Sequence, residues 1–157
     1  MKTQLCALAS GLALAFTGAA AFAGSSADVY QQGLNNDSAI TQTYNSNASA
    51  DVVQKGLFNV SDVSQEHVSG SADVYQAGLN NSSEIKQRYA NADASVVQEG
   101  AFNVSTISQR FGHAQSADVY QVGLNNSSEV SQVGSHLSAT AVQQGAFNVS
   151  TITQKGW

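Results

Sequence analysis

The chain has 157 residues, only 11% of them charged, with six basic against eleven acidic side chains and a net charge of −5. That balance excludes nucleic acid and anionic membrane surfaces as partners. A single cysteine, Cys6, excludes a disulfide framework, and the absence of proline leaves every backbone N–H free to join a hydrogen-bond ladder.

The first element is a leader. Lys2 precedes an apolar run from Leu5 to Ala21, interrupted by Ser10, Gly11, Thr17 and Gly18, and the run closes on Ala21-Phe22-Ala23. A positive start, a short apolar stretch and a small-x-small end predict a secretory signal peptide over residues 1–23. A spanning helix needs about 20 continuous apolar residues. Cleavage between Ala23 and Gly24 is expected. It leaves a domain of residues 24–157 with no cysteine, no membrane insertion and, once Lys2 is gone, a net charge near −6.

From there one frame recurs six times, Gln-x-Gly-x-x-Asn-x-Ser-x-(Ile/Val)-x-Gln, with a period of 22 or 23 residues. Its leading glutamines are Gln31, Gln54, Gln76, Gln98, Gln121 and Gln143, and its closing ones Gln42, Gln65, Gln87, Gln109, Gln132 and Gln154. The glycines are Gly33, Gly56, Gly78, Gly100, Gly123 and Gly145; the asparagines are Asn36, Asn59, Asn81, Asn103, Asn126 and Asn148. A fixed period of this length marks a solenoid. The predicted rungs cover about 25–42, 48–65, 70–87, 92–109, 115–132 and 137–154.

Within each copy, alternate residues separate into two faces, as a strand requires. In the first strand Ala27, Val29 and Gln31 share one face, opposite Ser26, Asp28 and Tyr30. In the second, Asn36, Ser38, Ile40 and Gln42 share a face, opposite Asp37, Ala39 and Thr41. Through all six copies no charge enters an inner column, whereas Asp28, Asp51, Asp73 and Asp118 fall on an outer one. Those carboxylates are expected to slow assembly, as charges beside aggregation-prone strands do. Four residues, Gln32-Gly33-Leu34-Asn35 in copy one, are expected to join the strands through a glycine at φ > 0. A loop of four or five residues then leads to the next rung.

The fold class predicted is all-β: a parallel, cross-β solenoid of strand–turn–strand rungs with two facing sheets. Inner Gln and Asn side chains carry both donors and acceptors, so each can bond its counterpart one rung away. Copy one opens close to the cleavage site and copy six ends three residues before the C-terminus. Uncapped ends, and hence self-association, are expected.

The frame resembles the curlin repeat of bacterial curli fibres, Ser-x5-Gln-x-Gly-x-x-Asn-x-Ala-x3-Gln. Copy one matches it at Ser25, Gln31, Gly33, Asn36 and Gln42, with Ser38 in place of the family alanine, and the likeness covers residues 25–154. The resemblance implies an amyloid fibre subunit, polymerising with itself at the cell surface in support of adhesion and biofilm. It also implies a nucleator subunit, an outer-membrane export pore and chaperones as partners. The family's leading serine is kept only in copy one; Ala48, Gly70, Ala92, Gln115 and Leu137 replace it, which predicts a looser start to the later rungs. The regular last copy and acidic balance favour the major subunit over the minor nucleator.

Chemistry finds no support. His67, His113 and His136 lie in inter-rung loops without a cysteine or carboxylate cluster at ligand spacing, so no metal and no cofactor is expected. The acidic residues form no inward dyad, and no catalytic residue is assigned. The rival from another class is a monomeric β-solenoid that binds a ligand.

Overall fold

The structure is a computed structural model that describes residues 24–156, and before them only the backbone of β1 (Leu5–Leu8) and β2 (Leu14–Phe16). The predicted signal peptide and Ala23 otherwise lie outside the described residues.

Ten strands follow: β3 (Ser26–Leu34), β4 (Asp37–Thr43), β5 (Ala48–Leu57), β6 (Val60–Glu66), β7 (Gly70–Leu79), β8 (Ser82–Ala101), β9 (Val104–Leu124), β10 (Ser127–Val133), β11 (Ser138–Ala146) and β12 (Val149–Lys155). All pair in parallel. One ladder runs β3, β5, β7, the second half of β8, the second half of β9, then β11. The other runs β4, β6, the first halves of β8 and β9, then β10 and β12. The backbone of β1 pairs with β3 and that of β2 with β4.

Register holds copy by copy. Val29, Val52, Val74, Val96, Val119 and Ala141 are successive partners, as are Ile40, Val63, Ile85, Ile107, Val130 and Ile152. These β-branched columns meet in one core between the two ladders, because only one face of each strand is apolar. Yet of the twelve largest fully buried side chains nine are glutamines, so the interior is held by amides as much as by hydrocarbon.

Three details depart from the sequence reading. The strands run on through the glycine, and the bend falls one or two residues later, at Asn35 and its counterparts. Between copies three and four, and four and five, no separate loop forms, since β8 and β9 continue through the corner, with a register shift between Ala90 and Ala92. Three of the later rungs do not start loosely: Ala48, Ala92 and Gln115 are buried, and Gln115 Nε2 donates to the carbonyls of Arg110 and Gly134, whereas Gly70 and Leu137 are partly exposed.

Candidate functional site: the amide ladders

Each glutamine column is a continuous file of hydrogen bonds. Nε2 of Gln31 donates to Oε1 of Gln54 at 2.7 Å, and the pattern repeats through Gln76, Gln98, Gln121 and Gln143. The second file runs from Gln42 through Gln65, Gln87, Gln109 and Gln132 to Gln154 at 2.8–3.0 Å. The second hydrogen of Nε2 reaches across the interior. Gln54 donates to the carbonyl of Asp37 and Gln65 to that of Ser49, each tying one ladder to the facing one. The repeat predicts the files; it gives no signal for these crosslinks, which depend on the distance between the sheets.

The asparagines run the opposite way. Asn59 donates to Asn36, Asn81 to Asn59, and so on through Asn103, Asn126 and Asn148. Each side-chain Nδ2 also donates to the carbonyl four residues earlier, as Asn59 does to Lys55, which closes the bend. Asn45 sits outside the frame yet is buried, donating to the carbonyl of Gln65 and accepting from Val68 N–H.

The glycine column is required by the stacking itself. A Cβ on Gly33 would lie 1.8 Å from the carbonyl oxygen of Gly56, and Gly56, Gly78, Gly100 and Gly123 meet the next glycine at 1.9–2.1 Å. Their φ of 110–128° is positive, as the sequence predicts. The left-handed residue of the bend, however, is two positions later: Asn35, Phe58, Asn80, Phe102, Asn125 and Phe147, all at φ 55–59°. Asparagine tolerates that backbone, whereas a residue with a bulky Cβ substituent loses about 1–2 kcal/mol there.

The serine column is less well served. The hydroxyls of Ser38, Ser61, Ser83, Ser105 and Ser128 are buried without a hydrogen-bond partner among the described residues. This is the position at which the resembled repeat carries alanine.

Outside the core, aromatic side chains fill the inter-rung corner. Tyr44, His67, Tyr89 and Phe111 stack in successive rungs with centroids 5.1, 4.8 and 5.6 Å apart. Arg88 Nε bonds Glu66 at 3.0 Å beside them, and Lys86 pairs with Glu84. His113 and His136 are in adjacent rungs, joined by a backbone bond of 2.8 Å. Among the described residues no three His, Cys, Asp or Glu side chains come together as a metal site would need. On the outer face Asp28, Asp51 and Asp73 are direct neighbours, and Ser95 separates them from Asp118. Partial desolvation raises the Asp51 carboxyl above its ordinary value, and the charges of Asp73 and Asp28 add to the shift. Asp73 is raised mainly by desolvation, with a Ser71 hydrogen bond opposing it.

The family model described as the curlin associated repeat matches residues 90–123, a stretch crossing from β8 into β9. The chain carries a curlin associated repeat over those residues. No protein of curated function matches it in sequence. The curlin repeat builds structural, extracellular fibre subunits and is not an enzyme motif. The matched region holds Gln98, Gln109 and Gln121, glutamines of both files, together with the turn at Asn103.

Proposed function

We propose that the chain is a structural subunit of an extracellular, curli-type functional amyloid fibre, and that it stacks head to tail on copies of itself. The observation that carries this is the direction of the amide files. At the N-terminal end Gln31 Oε1 is buried with no partner among the described residues. At the other end, among the described residues, Nε2 of Gln143 and of Gln154 donates only to a backbone carbonyl, Ser127 and Ser138 respectively, leaving one hydrogen unused. Acceptors at one end and donors at the other complement each other in one orientation, and the asparagine file, run in reverse, has the same requirement. Each added copy converts unpaired buried amides, at roughly 1–3 kcal/mol each, into paired ones. β11 and β12 likewise pair on one side only, which offers two open strand edges.

Cleavage between Ala23 and Gly24 removes the backbone that pairs with β3 and β4 and opens the opposite edge. The regular sixth copy favours the major, fibre-forming subunit, with a nucleator subunit, an export pore and chaperones as partners, and adhesion and biofilm support as the role at the cell surface. The test is incubation of the purified chain at tens of micromolar, followed by thioflavin T fluorescence, sedimentation and fibre diffraction. Fibres with a meridional spacing of about 4.7–4.8 Å are expected. A chain that stays monomeric over days sinks the proposal.

A further inference from the structure

The two corners of each rung use aromatic residues differently. At the inter-rung corner Tyr44, His67, Tyr89 and Phe111 take left-handed backbone, φ 50–54°, in consecutive rungs and stack on one another. At the turn corner Phe58, Phe102 and Phe147 take the same strained backbone, φ 57–59°, but only in every second rung. Two strand spacings, about 9.6 Å, separate them, which is too far for ring contact. They remain 48%, 44% and 70% exposed, and among the described residues none has a ring partner. Asn35, Asn80 and Asn125 fill the intervening rungs, where asparagine suits the backbone. Phenylalanine is therefore held in strain with no ring stacking to offset it, and retained strain of that kind points to function.

The neighbouring column has the same period. Val60, Val104 and Val149 stand in the phenylalanine rungs, 44%, 45% and 79% exposed, and Asp37, Ser82 and Ser127 take that place in the asparagine rungs. Apolar bars and polar troughs thus alternate along the edge. The flanking column of Leu34, Leu57, Leu79, Ala101, Leu124 and Ala146 carries no charge. A surface with a period of about 9.6 Å fits only a partner that has the same period, shifted by half of it. A lipid surface or a globular protein lacks that repeat; a second copy of this chain has it by construction.

We infer that this edge docks a second copy, so that two solenoids lie side by side with parallel axes, offset by one rung. Phe58, Phe102 and Phe147 of one copy enter the troughs at Asn35, Asn80 and Asn125 of the other, whose Phe58 and Phe102 enter those at Asn80 and Asn125 in return, while its Phe147 meets Asn35 of the next copy along the stack. The contact buries on the order of 1,000 Å² over a pair of molecules, the low end for a specific interface, and it repeats along the length of a fibre. The inference rests on the stacking proposed above for that length, but it involves a different surface.

The test replaces all three residues, Phe58→Asn, Phe102→Asn and Phe147→Asn, which also relieves the backbone. Mass per unit length of the fibres is measured by scanning transmission electron microscopy. Wild-type fibres are expected to carry two molecules per axial repeat and the triple variant one, a twofold drop, with the 4.7–4.8 Å spacing kept. Single-column wild-type fibres, or a variant that stays paired, overturn the inference. If neither chain forms fibres, stacking fails, and the edge is read from sedimentation of the soluble chain. A dimer that the triple variant loses then supports the docking surface, and a wild-type monomer overturns it.

Discussion

Asn59 directs two donors, its backbone N–H and its side-chain Nδ2, at one oxygen, Asn36 Oδ1, with both distances 3.1 Å. The same pair of bonds joins every later asparagine to its predecessor, so each side chain both closes its own bend and anchors the next. The value of an asparagine then depends on whether a rung lies beyond it. Asn81→Ala strips Asn103 of its acceptor and removes three donor bonds of its own. A loss of about 1–3 kcal/mol is expected in urea denaturation of the freshly purified chain. Asn148→Ala, at the end of the file, is expected to cost well under half of that. Equal losses would contradict the file.

The buried serines invite the opposite result. Ser83→Ala and Ser105→Ala each remove a hydroxyl that has no partner while keeping the backbone and most of the volume. Each is expected to be neutral or to stabilise by up to about 1 kcal/mol. A destabilisation above that figure, measured by the same denaturation, would mean that the hydroxyls find partners.

Glycine substitutions separate the fold from its growth. Gly100→Ala sets a methyl 2.1 Å from the Gly123 carbonyl inside the stack and is expected to abolish ordered β-structure by circular dichroism. Gly145→Ala meets only Asn148 Nδ2, at 3.7 Å, although its φ of 104° still strains an alanine. The expected outcome is a chain that retains its β-spectrum but no longer elongates wild-type seeds, because a stacked copy would bring the Gly33 carbonyl onto the new methyl. Normal elongation by this variant would rule out a copy in that position.

The acidic column makes assembly depend on pH. The Asp51 and Asp73 carboxyls bind protons more tightly in the folded stack than at the ordinary value of 3.8. Their protonated form therefore favours the fold, an advantage complete below 3.8 and lost as pH rises through the raised values. Stability and assembly rate are expected to increase on acidification from neutral pH toward 3.8, and Asp51→Asn with Asp73→Asn to flatten that trend and shorten the lag at neutral pH. Asp118→Asn serves as the control, since Ser95 and Thr140 flank it and no carboxylate is adjacent. A lag that responds equally to both sets would remove the like-charge explanation.

Much of the solenoid was legible because a strand has period two and a rung a fixed length. Val29 and its counterparts, Ile40 and its counterparts, and the inward Gln and Asn columns could be placed by counting. What escaped counting depends on distances between rungs and sheets. The bend at Asn35 lay beyond the glycine because Gly33 answers to the carbonyl of Gly56 above it, not to the turn. The crosslink from Gln54 to Asp37 joins residues 17 apart in different rungs, and nothing local marks it. The Tyr44–His67–Tyr89–Phe111 stack lies in inter-rung segments of unequal length, where no fixed offset relates one copy to the next. Gln115 and Asn45, two buried amides outside the frame, escaped for the same reason.

Because Phe58 and Asn35 belong to rungs of two kinds, the smallest module that can be duplicated without disturbing the pattern is a doublet of 44 or 45 residues. A gene lengthened or shortened by such doublets would keep every vertical contact intact. Gain of a single copy would set two like rungs next to each other and shift all bars beyond them by one place. Length variation among related chains should therefore favour even steps wherever the phenylalanine edge is in use.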